Sequence, residues 1–154
     1  MDRGSEGALM RLKFLTGILC ILLLGIGFTA DATDIKNEDA SGNHIIVYYF
    51  HGNFRCATCH GIENYTKEAI DNNFQKELKN GQLEFKAINT EKPQNRHYMK
   101  DYNLYTKSVV LSLVKNGKEV KFKNLEKVWE CVRDKKRFES YVREETAAYL
   151  KELD

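Results

Sequence analysis

Two apolar runs of different kind mark the first third of the chain. Phe14 to Phe28 is dominated by Leu and Ile, and a polar stretch, Thr33 to Asn43, follows it. The second run, His44 to Phe50 (HIIVYYF), is short, β-branched and aromatic, the composition of a strand buried on both faces. Gly52-Asn53 breaks it. From Cys59 onward Ile62, Tyr65, Ala69, Ile70, Phe74 and Leu78 recur every three or four residues, predicting an amphipathic helix that stops at Asn80-Gly81. Leu83, Phe85, Ala87 and Ile88 nearly alternate with polar residues and predict a second strand. Pro93 opens a short helix (PQNRHYMKDYN), and Val109 to Val114 reads as a central, buried third strand. Asn116-Gly117 is the strongest hairpin signal in the chain and leads into a fourth strand at Glu119 to Phe122. The remainder, Leu125 to Leu153, is helical, with Phe138, Val142, Tyr149 and Leu153 on one stripe and a break near Asp134.

The order β-α-β-α-β-β-α predicts an α/β domain, one mixed sheet flanked by helices, over residues 44–154. A linker at residues 33–43 precedes it. Ahead of that, Arg11 and Lys13 introduce the first apolar run, and Ala30-Asp31-Ala32 closes it with small residues. This is the layout of a signal peptide over residues 1–32, with Met10 a more natural start than Met1. The run is shorter than the roughly twenty residues a spanning helix needs, so an uncleaved N-terminal anchor is the second reading. Cys20 follows Ile18 and Leu19 rather than small residues, which argues against a lipid-modified cysteine. The expected location is therefore periplasmic or otherwise exported, with membrane contact through the N-terminal segment alone.

Composition alters this picture little. A hydrophobic content of 42% with eight Phe and eight Tyr suffices for a core, and 154 residues suggest one domain. The net charge of +2, with both signs interleaved, provides no basis for nucleic-acid binding.

The chemistry lies in the cysteines. Without the signal three remain: Cys56, Cys59 and Cys131. Cys131 sits among Val128, Trp129 and Val132 and reads as a small buried hydrophobe. Cys56-Ala57-Thr58-Cys59 falls where the first strand ends and the first helix begins, the carboxyl edge at which such sheets place their chemistry. A helix start favours a thiolate at the first position, Cys56, and Arg55 adds positive charge beside it. Cys56 would attack a partner disulfide and Cys59 would resolve the mixed disulfide. His60, when protonated, would lower the Cys56 pKa further.

With these residues in place the chain resembles thioredoxin-fold proteins lacking that fold's extra N-terminal strand and helix. The stretch YYFHGNFRCATCHGIE is also similar to the bacterial nitrophenyl-compound nitroreductase subunit ArsF family, whose members carry a like Y-F-H-G…R-C-x-T-C segment behind an export signal. The resemblance implies a thioredoxin-like fold and thiol redox activity; no flavin or nicotinamide site accompanies it. It also exposes departures. Phe54-Arg55 stands where thioredoxins carry a Trp, and Ala57-Thr58 where they carry Gly-Pro. No acidic residue lies on the first strand, and Ser108-Val109 occupies the place of a cis-proline that shapes the substrate groove and shields the dithiol from metal.

Three other readings stay open. Cys56-Ala-Thr-Cys59-His60 matches the CxxCH haem-attachment pattern, with His60 proximal and Met99 or His97 distal. Cys56, Cys59, His60 and His51 could supply ligands for Cu(I) or Zn. Tyr48, Tyr49, Phe54 and Tyr65 could serve a non-catalytic binding module. The leading expectation is an exported, monomeric thiol–disulfide oxidoreductase acting on a protein partner. Its only redox group would be the Cys56–Cys59 pair, supported by Arg55, His60, Ser108 and Val109.

Overall fold

The computed structural model describes residues 42–153; the signal segment, Cys20 and the linker as far as residue 41 lie outside the described residues. The sheet is built on β1 (His44–His51), which pairs in parallel with β2 (Leu83–Asn89) and antiparallel with β3 (Ser108–Lys115). β4 (Lys118–Asn124) extends β3 antiparallel, giving the order β2-β1-β3-β4. The apolar run of β1 follows from this central position. Ile45, Val47 and Tyr49 face one core, while Ile46, Tyr48 and Phe50 face a second core on the other side of the sheet.

Between β1 and β2 the chain forms α1 (Ala57–Asn73) and α2 (Gln75–Lys79). A single helix running to Leu78 was expected; the structure breaks it at Phe74 (φ −132°, ψ 36°). Asn73 diverts its side-chain amide to the Ala69 carbonyl at 2.8 Å, and Phe74 is buried against the first core. Pro93–Asn95 is a 3-10 turn, followed by α3 (His97–Asp101), which carries Tyr98 toward the second core. There Tyr48, Phe50, Tyr98 and Tyr102 pack with ring centroids 5.1–5.9 Å apart, within the range of favourable aromatic pairing. Asn116 (φ 53°) and Gly117 (φ 72°) make the β3–β4 turn, both with the positive φ that a tight two-residue hairpin demands.

After β4 come α4 (Val128–Cys131) and α5 (Lys135–Leu150). The expected break at Asp134 is present and has a local cause: its side chain accepts from the Arg137 amide at 3.1 Å and caps α5. α5 buries Phe138, Val142, Thr146 and Tyr149, and it packs with α1 over the first face of the sheet. The expected α/β arrangement is thus the observed one, and its strand order and connections are those of a thioredoxin-like fold. Among the described residues no helix is long and apolar enough to cross a membrane.

Candidate functional site

β1 ends at His51, and a four-residue loop, Gly52 to Arg55, delivers the chain to the start of α1. Cys56 is the N-cap of that helix, with extended backbone (φ −85°, ψ 171°), and no side chain caps the first turn. Its amide groups are therefore available to the Cys56 sulfur. The Cys56 thiol is exposed, whereas Cys59, one turn later, is 2% exposed; the two Sγ atoms stand 2.8 Å apart. The Cys59 thiol, and after it the backbone N–H groups of Cys59 and Thr58, hold the Cys56 pKa below the ordinary thiol value. One sulfur faces solvent with its ionised form favoured, and its neighbour lies behind it.

The sign of that shift sets a measurable pH profile. Alkylation of Cys56 by iodoacetamide is expected to show a midpoint below the ordinary thiol value of about 8.5, because the thiolate is the reacting species. In Cys59→Ala the midpoint should move back upward, since the side-chain hydrogen bond that is the largest cause of the shift is removed. A wild-type midpoint at or above the ordinary thiol value would contradict the arrangement.

Beneath the pair lies Tyr49, fully buried on β1. Its hydroxyl donates to the Cys59 carbonyl at 2.7 Å, a bond worth about 1 kcal/mol that ties the first turn of α1 to the sheet. Burial, and secondarily the neighbouring Cys59, push the Tyr49 phenol up to about 12, so it stays protonated and keeps donating. The Arg55 guanidinium lies 5.7 Å from the Tyr49 ring centroid. Arg55 was expected to lend its charge to Cys56. It is ion-paired with Glu63, one turn beyond Cys59. Arg55 Nε is buried with no acceptor.

The other expected site residues are distributed as follows. His60 is exposed on the first turn of α1, and its amide donates to the Cys56 carbonyl at 3.1 Å. His51 stacks on Tyr49 with its Nδ1 against the Gly52 carbonyl at 2.9 Å. Among the described residues no three His, Cys, Asp or Glu side chains are grouped so that they could hold a metal. His97 is paired with Asp101, and Met99 lines a separate cleft of about 500 Å³ together with Asn53, Glu91, Arg96 and Tyr105. Ser108 and Val109 are buried at the start of β3, in register with Phe50 and Tyr49, and all described peptide bonds are trans.

Two participants escaped the sequence reading. Glu63 reads as one more surface charge on the polar face of α1. Trp129, noted only as a neighbour of Cys131, lines a cleft of about 610 Å³ with Ala57 and Thr58, the two residues between the cysteines. The periodicity of α1 could have paired Glu63 with the start of the helix; no spacing connects residue 129 to residue 57.

No protein-family model and no curated protein matches the chain. Among solved structures, a thioredoxin of Fasciola hepatica is similar, with 21% identity over 60% of this chain and 82% of its own length and a TM-score of 0.36. A structure described as a malarial protein has 13% identity over 53% of this chain and 80% of its own, with a TM-score of 0.35. The resemblance to the nitroreductase subunit ArsF family finds no support in these comparisons. The thioredoxin-like fold, stated above from strand order, together with the close Cys56–Cys59 pair, points to a redox or thiol-related role.

Proposed function

We propose that the chain is a thiol–disulfide oxidoreductase acting on a protein partner, with Cys56 as nucleophile and Cys59 as resolving thiol. One observation carries this reading: an exposed N-cap thiol with a lowered pKa, 2.8 Å from a buried thiol, at the junction of a central strand and a helix. In the reducing direction the Cys56 thiolate attacks one sulfur of the partner disulfide. The other partner sulfur leaves as a thiolate and takes up a proton. Cys59, deprotonated, then attacks Cys56 in the mixed disulfide and releases the second partner thiol. Two electrons have passed to the partner, and Cys56–Cys59 is left as a disulfide. The reverse sequence oxidises a partner dithiol by the same geometry. The basic, apolar and small-residue pattern of residues 1–32 supports action outside the cytoplasm, in the periplasm or beyond.

The test is equilibration of the purified chain in glutathione buffers, with the two redox forms separated by thiol trapping. A single two-electron transition between about −120 and −270 mV, the span of catalytic dithiols, is the expected result. A disulfide that resists reduction below about −300 mV is a structural staple and overturns the reading. A Soret band in the visible spectrum would reassign the CxxCH segment to haem.

A further inference from the structure

Nothing in the sequence stiffens the loop Tyr105 to Lys107 that leads into β3; the chain's single proline is Pro93. Two polar ties hold the loop instead. Ser108 Oγ donates to the Thr106 carbonyl at 3.0 Å, and the Trp129 indole Nε1–H donates to the Lys107 carbonyl at 3.0 Å. Trp129 stands on α4 between two buried neighbours, Val128 (1% exposed) and Cys131 (3%), while its own indole is 38% exposed. On one side the indole lines the cleft that contains Ala57 and Thr58; on the other it lines a hollow with Tyr105, Thr106 and Ser108. It is the one residue common to both, and the only tryptophan in the chain. An indole half in solvent, fixed at its polar end and anchored at its base, is a wall, not a surface accident. Phe54 (76% exposed) and Tyr105 (93%) leave further aromatic surface open around the same edge of the sheet.

We propose that Trp129 shapes the partner groove of this dithiol and sets its preference. It fixes the loop before β3 and offers its ring to an apolar side chain next to the partner's cysteine. The occupant is an extended segment of a disulfide-bonded protein. Ala57 and Thr58, the two small residues that follow Cys56, line this cleft with Trp129 and Tyr65, while Glu130 and Arg133 supply its charged lining. An aromatic wall suits an apolar neighbour because rigid rings bury area with little loss of side-chain freedom. This inference rests on the redox reading of Cys56 and Cys59 given above.

The experiment compares two peptide disulfides that differ only in the residue beside the cysteine, leucine in one and serine in the other. The readout is the ratio of their kcat/KM values. The wild type is expected to favour the leucine peptide by about tenfold, the scale of one well-buried apolar contact, and Trp129→Ala to bring the ratio close to one. Trp129→Phe, which keeps a ring but loses the tie to Lys107, should lie between them, near threefold. With Cys56→Ser, which binds without reacting, the emission of Trp129 should shift on titration with the leucine peptide and not with the serine peptide. A merely structural role would lower kcat/KM for both peptides alike and leave the ratio unchanged in Trp129→Phe and Trp129→Ala, overturning the inference. A wild type that turns over both peptides equally overturns it as well, with the redox reading intact. A wild type that exchanges with neither peptide overturns both.

Discussion

Replacing Cys59 by serine is expected to arrest exchange at a covalent mixed disulfide between Cys56 and the partner. The attacking thiol is exposed and retained, and the sulfur that would release the partner is gone. Cys56→Ser should remove the nucleophile itself, with a fall in turnover on the order of 10³-fold or more, the scale of losing a covalent catalyst. The two outcomes separate on a non-reducing gel: an adduct of increased mass for Cys59→Ser, and none for Cys56→Ser. An adduct formed equally well through Cys59 in the Cys56→Ser protein would invert the roles. Burial at 2% exposure argues against that, because an intermolecular disulfide needs in-line access to the attacking sulfur.

The second large effect is on stability. Phe138→Ala is expected to cost about 3–5 kcal/mol, the range for deleting a fully buried aromatic ring from a packed core. Phe138 is the ring through which α5 meets α1; it lies edge-on to Tyr65, with centroids 5.7 Å apart. Tyr65 is on the same helix as Cys59, so the cavity opens behind the site and not at some remote end of the domain. Urea denaturation would show the loss as a lower midpoint with a nearly unchanged slope. A cost under about 1 kcal/mol would mean that α5 can close over the gap and that this interface is softer than its burial implies.

Most of the fold was legible because its strongest signals are local. The HIIVYYF run is buried on both faces because β1 is central, and a run of that kind fits few other positions. Asn116-Gly117 turns the hairpin through backbone angles that few other residue pairs accept. Asp134 ends one helical stretch and caps the next with its own carboxylate. The misses are of another kind. The break at Phe74 depends on where that ring finds its core, which periodicity alone cannot locate. Thr146 occupies the buried stripe of α5 although its letter is polar; its hydroxyl is satisfied by the Val142 carbonyl at 2.8 Å, which leaves the methyl for the core. At the site, the position of the cysteines was readable and their electrostatic setting was not. The Arg55–Glu63 ion pair, and the cleft that Trp129 and Ala57 line together from more than seventy residues apart, carry no local signature. Such pairings exist only once the layers have assembled.

The central place of β1 also has a mechanical consequence. While Cys56 is joined to a partner, any pull from that partner passes through four loop residues into a strand hydrogen-bonded along both edges, to β2 on one side and β3 on the other. A load applied along β1 is shared by both ladders at once, so the strand cannot peel away one bond at a time. The loop from Gly52 to Arg55 is itself tied down, Asn53 Oδ1 accepting from the Asn89 side-chain amide at 2.8 Å and Arg55 being ion-paired with Glu63. In the proposed mixed disulfide the dithiol would therefore hold its place on the sheet, to which the Tyr49 hydroxyl also ties it through the Cys59 carbonyl, and the partner would do the adjusting.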